Sequence, residues 1–394
     1  MEIIRLIAAI ITSILFIYLG VYSLYLFIFS VSGKFIKVKT PPQSSTLAKF
    51  VIYICSYKED GIILNSAASA ITLDYPKDLF HICVIADSLK PETVAKLKQM
   101  PLQVLEVVFE SSTKSKALHK AIENTKDGFD AAIVFDIDNV AAPDFLYQIN
   151  NYLQAGNRVI QGHRVAKNTN TSVAVLDAIS EEVNNHIFRK SQRVFNLSAA
   201  IIGSGMALEY KLFTQVMMRI DAVGGFDKEM GLLLTGDKIS VAYAGNALIY
   251  DEKVSNKEVF KKQRRRWLSA QFNLLKKYGG SGISALFKGK FDYLNEVYQL
   301  SILPRVLMLG LMPFMLLVSL ALPGIGPDWH LWLAATICCY TGILIAIPVS
   351  FYNKDFFGAL IRIPAIFFAM LLLLFKLKGA NKKFIHTPHT HSVK

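Results

Sequence analysis

The chain opens on a nearly continuous apolar stretch, Ile3 to Val31, in which Arg5 is the one charge. It ends at Ser32-Gly33-Lys34, with Lys37 and Lys39 close behind. A bilayer core needs about 20 apolar residues, and a cleavable signal has a shorter apolar core and a small-residue cleavage site. The stretch therefore predicts a retained transmembrane helix over 1–32, and the lysines after it place the next segment in the cytoplasm.

From Phe50 the pattern changes to short apolar runs separated by polar helical segments. Strands are predicted at Phe50–Ser56, Phe80–Ala86, Leu102–Val108, Ala131–Phe135 and Val159–His163, with helices at Ile62–Thr72, Pro91–Gln99, Ser115–Asn124 and Val173–Phe188. This alternation predicts an α/β domain with a mainly parallel sheet over 45–260. Asp221–Asp237 reads as loop-rich and ends in Thr-Gly-Asp. Beyond it, Trp267, Gln271, Leu274, Leu275 and Tyr278 share one helical face, consistent with a segment at a membrane surface over 261–300. Leu303–Leu322 and Leu331–Ser350 are two further spans within 301–352. A last apolar segment, Phe356–Leu377, is broken by Arg362 and Pro364. Crossing there would leave Lys378, Lys382, Lys383 and Lys394 outside, against the positive-inside tendency. An in-plane helix over 353–379 is preferred to a fourth crossing, with a basic cytoplasmic tail at 380–394.

Composition sharpens this picture. The 394 residues are 53% hydrophobic with a net charge of +13. The basic residues adjoin apolar segments and form no nucleic-acid motif. Anionic lipid and phosphate-bearing substrates are therefore the expected partners, and nucleic acid is not. Cys55, Cys83, Cys338 and Cys339 form no CxxC pair and read as reduced thiols in apolar runs.

Candidate chemistry lies at strand ends, where ligands bind in such sheets. Asp136-Ile137-Asp138 follows a buried strand, and alternate carboxylates there suit Mg²⁺ or Mn²⁺ bridging a diphosphate. Asp87 also ends a strand and reads equally as a nucleotide contact or a helix cap. Lys114 precedes a helix, where it could meet phosphate. Asp237 is a candidate general base. Gln263-Arg264-Arg265-Arg266-Trp267 pairs guanidiniums, which grip phosphate in a planar fork, with an indole that can stack on a sugar ring. Arg264 and Arg265 also read as a membrane-surface patch, and Arg266 and Trp267 carry the stronger claim to a site.

Together these motifs resemble the membrane-embedded family 2 glycosyltransferases, the group of cellulose, hyaluronan and poly-N-acetylglucosamine synthases. The shared order is an early Asp, Asp-x-Asp, Thr-Glu-Asp, then Gln-x-x-Arg-Trp. Here it reads Asp87, Asp136-Ile137-Asp138, Thr235-Gly236-Asp237 and Gln263 to Trp267. The resemblance implies a GT-A domain inserted between transmembrane helices of the cytoplasmic (inner) membrane. It implies a metal-dependent, inverting transfer from a nucleotide sugar, UDP-linked by expectation, to a saccharide or lipid-linked acceptor, in polysaccharide or glycolipid synthesis. By the same resemblance Tyr57, Glu59, Asp87, Lys114 and Asp136 hold the nucleotide and Asp138 the metal. Asp237 is the base, and Gln263, Arg266 and Trp267 serve the diphosphate and acceptor. Phe384, His386 and Thr387, in Phe-Ile-His-Thr-Pro, correspond to a gating loop. Two departures stand out. Gly236 replaces the usual Glu, and the membrane part is small for a one-chain export channel, which leaves export to partner subunits. A transferase adding one sugar to a lipid carrier, and an inactive membrane binding component, are the alternatives.

Overall fold

Phe50, Ile52 and Ile54 on the central strand point into one apolar core, while Val51 and Tyr53 point into another on the opposite face of the sheet. A strand buried on both faces needs a helical layer on each, which explains its continuous apolar sequence. The computed structural model describes residues 2–377 and places that strand in an eight-stranded sheet of order β3-β2-β1-β4-β7-β6-β8-β5. The strands are β1 (Phe50–Tyr57), β2 (Phe80–Asp87), β3 (Gln103–Val107), β4 (Ala131–Asp136), β5 (Val140–Ala141), β6 (Val159–Ala166), β7 (Met206–Glu209) and β8 (Ala242–Asp251). Strands β3, β2, β1 and β4 run parallel, β7 is antiparallel to both neighbours, and β8 runs parallel to β6. The α/β domain with a mainly parallel sheet is therefore as expected, including all five predicted strands.

Two elements depart from the sequence-based expectation. Asp221–Asp237 contains a helix, Phe226–Gly236, with Gly225 at its N-cap at φ 78°. A left-handed cap residue is inexpensive only for glycine, and Gly224-Gly225 therefore starts a helix where a loop was expected. The helix Ser172–Asn184 runs into a π-helical turn, Asn185–Lys190. Such widened turns are common near functional sites.

The N-terminal helix spans Glu2–Phe35, and its outer residues Ile3, Leu6, Ile10 and Ile14 are exposed. It lies against the helix Trp329–Ala346, where a Cβ on Gly342 would come within 2.9 Å of the Leu26 and Phe27 backbone. These two helices are long and apolar enough to cross a membrane. The number rises to four if each bent pair is one span: Phe291–Ser301 with Arg305–Ala321 (72°), and Lys354–Leu360 with Ile363–Leu374 (48°). The second bend falls where Arg362 and Pro364 interrupt the sequence. The Gln-Arg-Arg-Arg-Trp stretch lies on a long helix, Lys257–Phe287, that starts on an Asn256 cap and connects the sheet domain to the apolar helices.

Candidate active site

Parallel pairing brings the carboxyl ends of three strands together. Tyr57 is in register with Asp87, and Cys55 with Asp136. Asp87 is buried and accepts a hydrogen bond from the Ser88 hydroxyl at 2.9 Å. Lys114 is the first residue of the helix Lys114–Glu123, whose Thr113 cap accepts from the Lys116 amide. The Lys114 ammonium reaches across the strand ends to form an ion pair with Asp136 and donates to the Gly203 carbonyl at 2.7 Å. Burial alone would lower its pKa. The facing Asp136 carboxylate, helped by Asp227, outweighs this and holds it above the ordinary lysine value. Gly203 sits at φ 71°, and a Cβ there would meet the Phe226 ring at 3.0 Å.

Asp138 is buried two residues beyond Asp136. Its Oδ2 accepts the Glu252 amide at 2.8 Å, and its carbonyl accepts from Lys167 at 2.6 Å. Asp136, Asp138 and Glu252 all line one cavity of about 940 Å³. Among the described residues no group of three His, Cys, Asp or Glu side chains could hold a metal ion. The donors at hand are nonetheless hard oxygens, which fit Mg²⁺ or Mn²⁺ when substrate phosphate completes the coordination.

Tyr57, Glu59, Asp87, Lys114, Gln263, Arg266 and Trp267 line the same cavity. Arg266 is pulled below the ordinary arginine value by burial, against the raising effect of Asp136 and Asp227. Trp267 leaves 37% of its surface exposed, with the Arg264 guanidinium over one side of its ring. The two neighbouring arginines differ in setting. Arg264 pairs with Asp177 and lies over the Trp267 ring at 4.6 Å, whereas Arg265 donates to the Lys376 carbonyl at 2.7 Å on the exposed side.

The structure places Asp237, the expected base, outside this cavity. Asp237 caps the C-terminal end of the helix Phe226–Gly236 and pairs with Arg219 at 2.5 Å, beside a second, smaller pocket. Asp227, in the first turn of that helix, does line the main cavity and acts electrostatically on both Lys114 and Arg266. None of the sequence motifs includes it. Its available signal is an acidic residue directly after Gly-Gly-Phe, since acidic side chains favour a helix N-terminus. Phe384, His386 and Thr387 lie outside the described residues.

A buried charge network, also unforeseen, forms one wall. Glu181 accepts from Arg164 at 2.7 Å and from Arg189 at 2.9 Å, while Lys253 meets Asp251 at 2.8 Å. Burial would raise the Glu181 carboxyl, but Arg164, Lys253 and Arg189 hold it well below the usual range.

Residues 48–270 match the family described as Glycosyltransferase like family 2. Among solved structures, the chain resembles the mannosyltransferase PcManGT from Pyrobaculum calidifontis in complex with GDP-Man and Mn²⁺. The TM-score is 0.56 at 12% identity, over 91% of this chain and 98% of that one. Glucosyl-3-phosphoglycerate synthase from Mycobacterium tuberculosis, in complex with Mn²⁺, UDP and phosphoglyceric acid, matches with a TM-score of 0.41 at 15% identity, over 57% and 77% of the two chains. No curated protein matches. The matched family covers more than half of the chain, so this protein belongs to glycosyltransferase family 2 and is an enzyme of nucleotide-sugar-dependent glycosyl transfer.

Proposed function

We propose that this family 2 enzyme transfers a sugar, with inversion, from a nucleoside diphosphate sugar to a membrane-associated acceptor at the cytoplasmic face. One observation carries this reading: a single cavity gathers Lys114, Asp136, Asp138, Arg266, Trp267 and Asp227. Tyr57, Glu59 and Asp87 contact the nucleoside at the strand ends. Asp136 lies toward the nucleotide, and Asp138, with Glu252 beside it, would hold Mg²⁺ or Mn²⁺. When bound there, the ion would supply charge stabilisation to the leaving nucleoside diphosphate.

Lys114 and Arg266 add fixed positive charge where the leaving group gains negative charge. The acceptor hydroxyl attacks the anomeric carbon as the bond to the diphosphate oxygen breaks. That electron pair leaves with the diphosphate, and the hydroxyl proton passes to the Asp227 carboxylate. A single displacement inverts the anomeric centre. Gln263 and Trp267 border the acceptor, with the indole face available to a sugar ring.

The arrangement of a catalytic domain over 45–260 between apolar helices supports the likeness to cellulose and hyaluronan synthases. Lys34, Lys37 and Lys39 after the N-terminal helix favour a cytoplasmic catalytic domain. The test uses the full chain purified in detergent with a panel of nucleotide sugars and Mn²⁺. Release of nucleoside diphosphate from at least one donor is expected, with inverted anomeric configuration by NMR in the glycoside formed on an added membrane-extract acceptor. Retention of configuration, or release from none of the donors, refutes the proposal.

A further inference from the structure

The main cavity is longer than a sugar-nucleotide site requires. From the carboxylates at the strand ends it continues between the apolar helices, where Leu309, Ile343, Ile347, Phe356, Ile363 and Ile366 line it. A nucleoside diphosphate sugar has nothing to place against such a surface. A long apolar chain does.

The junction between the polar and apolar parts is rich in unused hydrogen-bond donors. Arg305, at the start of the helix Arg305–Ala321, donates to Asn184 Oδ1 at 2.6 Å and to the Ser180 carbonyl and hydroxyl at 2.8 Å. All three acceptors are neutral, and among the described residues no carboxylate pairs with this guanidinium. The Glu181 carboxylate acts on Arg305 only from beyond ion-pair distance, so this buried cation has no counter-charge in contact with it. Tyr22, on the N-terminal helix, is within electrostatic range of Arg305. Its side chain is 1% exposed, it lines the cavity, and its hydroxyl has no hydrogen-bond partner. Among the other lining atoms that are buried without a hydrogen-bond partner, Gln299 Nε2 and Arg264 Nε can donate, while Gln263 Oε1 accepts. Tyr22, Gln299, Arg264 and Arg305 all present donors here, so the group that suits them accepts hydrogen bonds and carries negative charge. That is the chemistry of a phosphate oxyanion.

We propose that this junction binds the phosphate of a long-chain lipid, whose chain occupies the apolar arm. The proposal deepens the transferase reading and rests on it for the acceptor's role. The attacking hydroxyl belongs to a sugar carried on that phosphate, so Asp227 remains the proton acceptor and Trp267 faces the acceptor sugar. Arg305, Tyr22, Gln299 and Arg264 position the acceptor without touching the reacting atoms.

The test measures binding, which needs no donor turnover and so stands or falls separately from the transferase reading. The full chain in detergent is titrated with a polyisoprenyl monophosphate, with the corresponding alcohol, and with inorganic phosphate, followed by native mass spectrometry. The lipid phosphate is expected to bind about tenfold or more tightly than the alcohol, as befits hydrogen bonds to a charged group, and far more tightly than inorganic phosphate. Arg305→Met should abolish the preference, and Tyr22→Phe should reduce it by roughly tenfold. Tyr22→Phe removes a hydroxyl that bonds to nothing in the fold, so a folding defect does not cloud that arm. Equal binding of phosphate and alcohol overturns the proposal. So does inorganic phosphate binding as tightly as the lipid, or an unchanged preference in Tyr22→Phe.

Discussion

Asp227 and Asp237 lie at opposite ends of one helix, and replacing each in turn tests the proposed chemistry directly. Ten residues at about 1.5 Å per residue separate them by roughly 15 Å along the axis. Only Asp227 lines the cavity with Lys114 and Arg266. Asp227→Asn keeps the side-chain shape and removes the proton acceptor, so turnover should fall by roughly a hundredfold to ten-thousandfold. The substitution also removes a negative charge near two cations that face the donor diphosphate. Nucleotide affinity should therefore hold or tighten. Asp237→Asn breaks only the pair with Arg219, whose partners are 47% and 43% exposed. An ion pair so open to water contributes about 1 kcal/mol or less, and turnover should be unchanged. The assay is diphosphate release from the purified full chain, with nucleotide affinity measured in parallel and circular dichroism to confirm the fold. An active Asp227→Asn enzyme beside an inactive but folded Asp237→Asn enzyme refutes the assignment.

Three further outcomes are expected. Lys114→Met leaves Asp136 without its partner and removes a diphosphate contact, so donor Kd should rise by about 30-fold or more, the lower end for a buried charge pair; isothermal titration with nucleotide checks it. Chelation with EDTA should abolish turnover and Mn²⁺ should restore it. Because no three carboxylates converge among the described residues, Mn²⁺ binding followed by electron paramagnetic resonance should strengthen markedly when nucleoside diphosphate is added. Glu181→Gln leaves Arg164 and Arg189 without their shared carboxylate and should cost about 3–5 kcal/mol in chemical denaturation. Glu181 is held below the ordinary glutamate value, so its stabilisation is present above about pH 4.5 and is lost as pH falls through the folded value. The variant should show a shallower loss of stability in acid.

The sheet was legible because its central parallel strands β1, β2 and β4 are largely buried and read as short apolar runs. Strands β7 and β8 were less legible for a physical reason. β7 is four residues long, and β8 carries Gly245 and Asn246 near the register shift that follows Gly162 in β6. Irregular pairing dilutes the pattern that marks a strand. The apolar helices were legible from length and hydropathy, and the break at Arg362 and Pro364 appears in the structure as a bend. Whether that pair crosses depends on a bilayer, and hydropathy measures only the capacity to do so.

The site shows where motif reading and folding diverge. Asp87, Asp136 and Asp138 line one cavity, as expected from strand ends that are visible in the sequence and from the convergence of the carboxyl ends of parallel strands. Asp237 was singled out by its position in an ordered set of motifs, but a tripeptide has no direction in space until its secondary structure is known. Reading Asp221–Asp237 as a loop made every carboxylate in it equally able to reach the cavity. Once Gly225 starts a helix, the two ends of that segment face different pockets, and only the first turn can serve the strand ends. The same argument explains the missed charge network. Glu181, Arg164 and Arg189 come from a helix, a strand and a π-helical turn, and no local spacing links them. Their pairing follows from burial: each charge must find an opposite charge once water is excluded. Arg305 departs from that rule at the boundary with the apolar helices, which makes it the informative exception.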